Sequence, residues 1–575
     1  MAANVQEAIR DTASPDAARS SSGLYALMRF AITEPTQTLT ILNTFCGYLD
    51  SKNMPASIRP TASDEINVDR ALNSMKGVAL VGTLRSTDSR VIEALRRVWP
   101  HVMKWLQYLH TFQLDNEHLG SDQRVAIFTL ISGAHKVFNQ TPELQALTRN
   151  TPGYFKLLVE QWKMQIRVPG FISNPPIYPL SNILTAHTNT LIPTAADAIS
   201  TITTLLGGPD DVARIALEHL SASAEQTKSQ ANYSVAISAD IDFIANLRTS
   251  APIRYALLSR HAVRAVTNLF FSLTAGPVNK ETADSVTMCM VSCGHFLGFA
   301  LEQSNGLPWV IEALNNQLVS AYIRCSAWMP YMKPVLVKHF LVPLRDTLPK
   351  YLMYVSVLKA AQRGMKKAQP LEAKMIRKGP LWESWSQFKK LADERIGMLS
   401  ESNGGGDKHQ VCFNPSCRKV DTQDAFLVCN GCNDAYFCSK PCQDAMQEGH
   451  RRTCEELQVW RRDGKTAPMF DKDFAFAGQV AQRELSKRLG EAAAVWEREM
   501  PKVPVIELDF TASPMKVRIG SATTVRPSDY ATDSDERTSW DALVKKAEDQ
   551  RAAIARFCIP EGEYQKVGVD LLKRA

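Results

Sequence analysis

The stretch Cys412-x4-Cys417-x11-Cys429-x2-Cys432-x5-Cys438-x3-Cys442-x7-His450-x3-Cys454 gathers eight soft or borderline metal donors into a short segment. It holds most of the chain's 12 cysteines. Tetrahedral Zn2+ accepts thiolate sulfur and imidazole nitrogen, so eight donors make two four-coordinate sites and leave no position for water. Ions held in that way are structural rather than hydrolytic. Cys438 and Cys442 stand four residues apart, as do His450 and Cys454, which on a helix puts both side chains on one face. Cys429-x2-Cys432 is a tight knuckle in which Asn430-Gly431 turns the chain. If one site takes Cys412, Cys417, Cys438 and Cys442, the other takes Cys429, Cys432, His450 and Cys454. Such interleaving cross-braces a small domain. Its large apolar residues are few, chiefly Phe426, Leu427, Val428, Tyr436, Phe437 and Met446. Metal ligation must therefore supply much of the folding free energy, on the order of 10 to 16 kcal/mol in simpler zinc fingers.

This spacing, with the string Tyr436-Phe437-Cys438-Ser439-Lys440-Pro441-Cys442-Gln443, resembles a MYND-type zinc finger, and the resemblance is confined to 412–454. It implies the interleaved ligand pairing and a protein-interaction module that receives short proline-containing peptides. The family usually carries tryptophan five positions after its sixth ligand. Here that position is Gln447, so either the implied groove is altered or the finger recognises something else. Gly449 weakens the helix before His450 by roughly 0.5 to 1 kcal/mol relative to alanine. Arg418, Lys419, Lys440, Arg451 and Arg452 are matched by Asp421, Asp424, Asp434, Asp444 and Glu448. A phosphate-tracking finger needs a net basic face, which this balance does not give. A blander role remains, in which the finger only braces the helical region against the C-terminal region.

MYND fingers also occur in SET-domain lysine methyltransferases, so a methyltransferase is the alternative. Those enzymes resemble one another in an Asn-His-Ser-Cys string and a Gly-Glu-Glu stretch, and neither occurs here. P-loop, dinucleotide-binding glycine and His-Glu-x-x-His patterns are likewise missing from the sequence. The expectation is a protein without catalytic residues.

Outward from the finger, the chain of 575 residues is long enough for three or four domains or one repetitive array. Its 45% apolar and 22% charged residues are those of an ordinary globular protein, and a net charge of +7 is mild for this length. Cys46, Cys289, Cys293, Cys325 and Cys558 lie scattered in apolar stretches, as free buried thiols do in a reducing compartment. The N-terminus is polar and small, without the pattern of a secretory leader. The best membrane candidate, 285–301, falls short of about 20 apolar residues and reads as a buried helix. These features predict an intracellular protein with no membrane partner, and leave cytoplasm or nucleus and the oligomeric state undecided.

The predicted fold is mainly α. A partly disordered segment (1–60) precedes a helical domain (61–400), either an armadillo/HEAT-like solenoid or an irregular helical domain. A flexible linker (401–411) built on Gly404-Gly405-Gly406 leads to the finger (412–454), and a small α+β region (455–575) ends the chain. Within the helical domain, 68–84 forms one helix, and Pro100 ends one helix and starts the next. Gly207-Gly208-Pro209-Asp210 breaks the chain before a helix burying Val212, Ile215, Ala216 and Leu220. Further helices are expected over 252–259, 261–275, 283–303 and 309–324. After the finger come a helix over 474–500 and strands over 503–510 and 515–519. Antiparallel pairing of these strands would set Glu507 and Asp509 against Arg518 and Lys516. Residues 529–536 read as acidic and loose, and a helix over 540–557 ends the chain.

Three features compete as further sites. The basic run Lys359, Arg363, Lys366, Lys367, Lys374, Arg377 and Lys378 suits a nucleic acid, as in a transcriptional cofactor, or simply a solvated helix face. Cys289-x3-Cys293-x-His295 lies in an apolar helical run and reads as buried thiols beside a core histidine. Trp382 and Trp385, three apart, read as helix packing. The expected function is a zinc-binding scaffold or adaptor whose partner is a protein or peptide.

Overall fold

The computed structural model describes residues 4–55, 62–114, 120–167, 179–189, 191–227, 234–303, 306–403, 409–414, 416–417, 419–422, 425–432, 435–462, 471–499, 501–527, 534–561 and 564–573. Gly404-Gly405-Gly406 and most of 529–536 lie outside them. The chain divides into two units, Met1–Arg260 and His261–Ala575, and the division falls inside the span 61–400. The first unit and the start of the second are helical with repetitive helix-on-helix packing.

Residues 4–55 carry capped helices. Asn4 and Asp16 cap the helices Val5–Thr12 and Ala17–Thr33 by accepting the Glu7 and Ala18 backbone N–H groups. Their shared face buries Val5, Ala8, Leu24 and Leu27. The two backbones meet at Gly23, where a Cβ would lie 2.7 Å from the Thr12 nitrogen. A capped helix with one apolar face needs only a partner to order, and the second helix provides it.

Pro100 does not end its helix. Ser89–Tyr108 runs through it as one element. The buried stripe Val91, Leu95, Val98, Val102, Trp105 and Leu106 continues across the proline, and its packing outweighs the lost backbone hydrogen bond. Trp105 Nε1 donates to the Leu49 carbonyl at 3.0 Å, and Trp99 Nε1 to Thr151 Oγ1 at 2.7 Å. The Gly207 turn follows the sequence reading: Gly207 has a left-handed φ of 101°, and Pro209–Thr227 starts beyond it.

In the second unit the helix expected over 309–324 is two, Leu307–Asn315 and Leu318–Arg324, broken where Gln317 takes φ 71°. The run 283–303 is the helix Ala283–Ala300, with Cys289 and Cys293 buried. His295 is a correction: it faces outward, its ring 4.9 Å from that of Phe299. Two residues from Cys293 on a helix is just over half a turn, which carries a side chain to the far face. Helices Val355–Glu372 and Pro380–Asn403 lead to the finger, and Asp471–Glu499 follows it.

Strands β1 (His409–Val411) and β2 (Val420–Thr422) form one antiparallel pair, and β3 (Leu427–Val428) and β4 (Tyr436–Phe437) another. The C-terminal sheet comprises β5 (Pro504–Asp509), β6 (Lys516–Ser521), β7 (Ala552–Glu561) and β8 (Tyr564–Lys573) in the order β6-β5-β7-β8. β5 and β6 pair antiparallel with Glu507 opposite Arg518 and Asp509 opposite Lys516. The terminal helix is shorter than expected. Ser534–Asp549 ends before Arg551, which adopts φ 49°, and Phe557 lies on β7, parallel to β5. Residues 552–559 are buried throughout, as suits a strand between two neighbours, and that continuous apolar run imitates a helix in sequence.

Candidate metal centre

Each donor of the finger is aimed by a short element. The β3–β4 hairpin carries the knuckle of Cys429 and Cys432, closed by Cys429 N–H donating to the Ala435 carbonyl at 2.9 Å. Ser439 caps the helix Lys440–Ala445, its hydroxyl accepting from the Cys442 N–H at 3.4 Å, which sets Cys438 and Cys442 one turn apart. The next helix, Gln447–Arg462, carries His450 and Cys454 on one face. Cys412 is held by its N–H to the Lys419 carbonyl at 2.8 Å.

The fold brings the eight residues into two groups, Cys412 with Cys417, Cys438 and Cys442, and Cys429 with Cys432, His450 and Cys454. The donor atoms of each group lie within 4.8 Å of one another. Zinc bonds of about 2.3 Å to sulfur and 2.0 to 2.1 Å to nitrogen make the edges of a tetrahedron about 3.8 Å for S···S and about 3.6 Å for S···N. The Cys417–Cys438 and Cys438–Cys442 sulfurs are 3.6 Å apart and those of Cys429 and Cys454 3.8 Å. Cys432 Sγ lies 3.4 Å from His450 Nε2. These are tetrahedral edges, and the two clusters fit two structural zinc ions.

The thiols carry the same message. Burial raises the Cys438 thiol to about 12, helped by the Cys417, Cys442 and Cys412 sulfurs around it. Ser439 and Cys438 lower Cys442 to about 7. Burial opposes ionisation of Cys429, yet the Cys432 N–H and His450 bring it down to about 6. Packed sulfurs cannot all be thiolates without a cation, and a dication removes that conflict.

Residues beyond the donors shape the site. Gly431 is sterically required: a Cβ there would stand 2.7 Å from Cys454 Sγ and 2.6 Å from Gln458 Nε2. Gln458 donates to Cys454 Sγ at 3.2 Å, an outer contact that steadies the sulfur. Only its place one turn after Cys454 hints at it in sequence. Phe413 and Phe437 both pack edge-on against the His450 ring, with centroids 5.2 and 5.8 Å away. Of the finger's large apolar residues, Phe437 is fully buried, while Leu427 and Val428 are exposed.

Residues 411–454 match the MYND finger family. The match is confined to this segment, and the region is a MYND-type finger with two metal clusters. No curated protein and no solved structure gives a significant match to the chain. Gln447 and Gly449 are both exposed at the start of the finger's last helix.

Three of the finger's cations are paired locally: Lys419 with Asp421 at 2.9 Å, Lys440 with Asp444 at 3.1 Å and Arg451 with Glu455 at 3.3 Å. Arg418, Asp424 and Asp434 lie outside the described residues. In the basic run, Arg363, Lys366 and Lys367 are exposed on the helix Val355–Glu372, whose Leu358, Ala361 and Ala368 are buried, and Lys374, Arg377 and Lys378 are exposed in the turn beyond it. Trp385 is buried and donates to Glu372 Oε1 at 3.1 Å, whereas Trp382 is half-buried beneath the Arg377 guanidinium. Among the described residues no helix is long and apolar enough to cross a membrane.

Proposed function

We propose that the protein is a zinc-dependent interaction scaffold or adaptor, and that its finger recognises a segment of a protein partner. In this reading Cys412, Cys417, Cys438 and Cys442 hold one zinc ion, and Cys429, Cys432, His450 and Cys454 the other. The observation that carries it is the complete use of eight donors in two tetrahedral sets, which leaves no coordination position for a substrate. The helices before the finger, stacked in armadillo/HEAT-like fashion, offer a second surface. Two contacts to one assembly raise effective concentration without strong affinity in either.

Affinity purification from cells at low salt, comparing the full chain with a Cys432→Ser variant, tests this. A partner set lost on substitution supports the finger as the recognising surface. The same set with both proteins would move recognition to the helical region, and no reproducible partner with either would refute the scaffold.

A further inference from the structure

Among the described residues β8 is the outer strand of its sheet, with β7 along one edge only. Its ten residues pair with β7 in a single unbroken register, from Ala552 opposite Lys573 to Glu561 opposite Tyr564. Val567 and Val569 are 38% and 45% exposed. A long, regular edge strand is a template for another strand, and proteins commonly guard such edges with bulges, prolines or lone charges. β8 has neither bulge nor proline.

Its charges follow a pattern that one partner would satisfy. The strand reads Gln565-Lys566-Val567-Gly568-Val569-Asp570. Antiparallel pairing with an identical strand about Gly568 sets position 566 opposite position 570 of the other copy, and 567 opposite 569. Lysine then meets aspartate twice by symmetry, and valine meets valine twice. Moving the axis by one residue in either direction leaves both charges opposite uncharged residues. A lysine that would repel most strands is neutralised in this one register.

We propose that β8 is a self-association edge, on which a second copy of this chain pairs antiparallel about a two-fold axis at Gly568. The sheet then runs unbroken through eight strands. The contact is closed and isologous, so it stops at a dimer. Four valines gather beside the axis, and the glycine on it leaves the two backbones free to approach. The dimer also carries two fingers, which would favour partners with repeated binding segments.

Sedimentation of the full-length, zinc-loaded protein over a concentration series around the micromolar range tests the proposal. The wild type sediments as a monomer–dimer equilibrium. Lys566→Asp and Asp570→Lys each create two like-charge pairs and weaken the dimer about tenfold or more. An equimolar mixture of the two variants regains wild-type affinity, because each lysine then faces an aspartate. The doubly exchanged variant K566D/D570K dimerises by itself for the same reason and keeps the test open should a single variant fold poorly. A wild type that stays monomeric throughout, single variants that dimerise as tightly as wild type, or a mixture no tighter than its components would each overturn the proposal.

Discussion

Ser181 and Asp240 are joined by a 2.5 Å hydrogen bond across 59 residues of sequence. Ser223 donates to the other carboxylate oxygen at 2.6 Å, and Trp162 Nε1 donates to Ser181 at 3.0 Å. Burial raises the pKa of this carboxyl group to about 6 despite the two hydroxyl donors. The folded chain therefore holds a proton on Asp240 that the unfolded chain, with a pKa of about 3.9, releases. Its contribution is full below pH about 4 and is lost as pH rises through about 6. His135, His187 and His219 act in the opposite sense. Burial lowers them to about 4, 4 and 3, so their contribution grows as pH rises towards about 6.5. Asp240→Asn isolates the acid, since an amide can accept from one serine and donate to the other. Urea unfolding should show the variant gaining about 2 kcal/mol relative to wild type between pH of about 4.5 and 7. Parallel profiles would contradict this.

The C-terminal sheet contains a second buried charge. Glu507 pairs with buried Arg556 on β7 and, at 3.0 Å, with half-exposed Arg518 on β6. Glu507→Gln keeps the shape and removes the charge, taking its carboxylate from a buried guanidinium, with an expected cost of about 3 to 5 kcal/mol. Arg518→Gln removes only a solvent-screened partner and should cost under about 1 kcal/mol. Denaturant midpoints at fixed m-value would rank the two, and equal losses would show that burial does not set the difference.

How much of this the sequence discloses depends on the distance over which each feature is encoded. The finger is local: spacing singles out eight candidate donors, which the fold gathers into two clusters, and the β5–β6 register follows from alternation over a few residues. β7 is hidden because Ala552, Ala553, Ile554 and Ala555 are buried on both sides and carry no alternation, and the stop before them is Arg551, whose φ of 49° no residue type announces. The Asp240 network is illegible for a different reason. Trp162, Ser181, Ser223 and Asp240 come from four helices and converge only after packing. Gly431 lies between these cases, since sequence marks a turn but not the Cys454 sulfur beneath it.

Gly306 and Gly379 separate two costs of adding a methyl group. Both have positive φ, 63° and 84°. A Cβ on Gly379 meets nothing within 4 Å, whereas on Gly306 it would stand 2.1 Å from Tyr351 Oη and 2.8 Å from the Leu301 carbonyl. Gly379→Ala should cost about 1 kcal/mol of backbone strain. Gly306→Ala adds overpacking of about 1 to 3 kcal/mol, visible as the lower melting temperature of the pair. Matching melting temperatures would mean that Tyr351 yields freely.

Cys432 tests whether the two clusters act as one brace. Its sulfur is buried, 3.4 Å from His450 Nε2, and its knuckle packs with Phe437 and Cys454 in the finger's small core. Cys432→Ser replaces thiolate by a poorer zinc ligand in that core. The first cluster draws Cys438 and Cys442 from the segment between the knuckle and His450, so losing the second site should loosen the first as well. Elemental analysis of reduced, zinc-replete protein should give about two zinc ions per chain for wild type and less than one for the variant. Cys293→Ser, at a buried thiol of the helix Ala283–Ala300, should leave the zinc content at the wild-type value. One full equivalent retained by Cys432→Ser would show two independent sites, and a finger still protected from protease after chelation would show that its core suffices without metal.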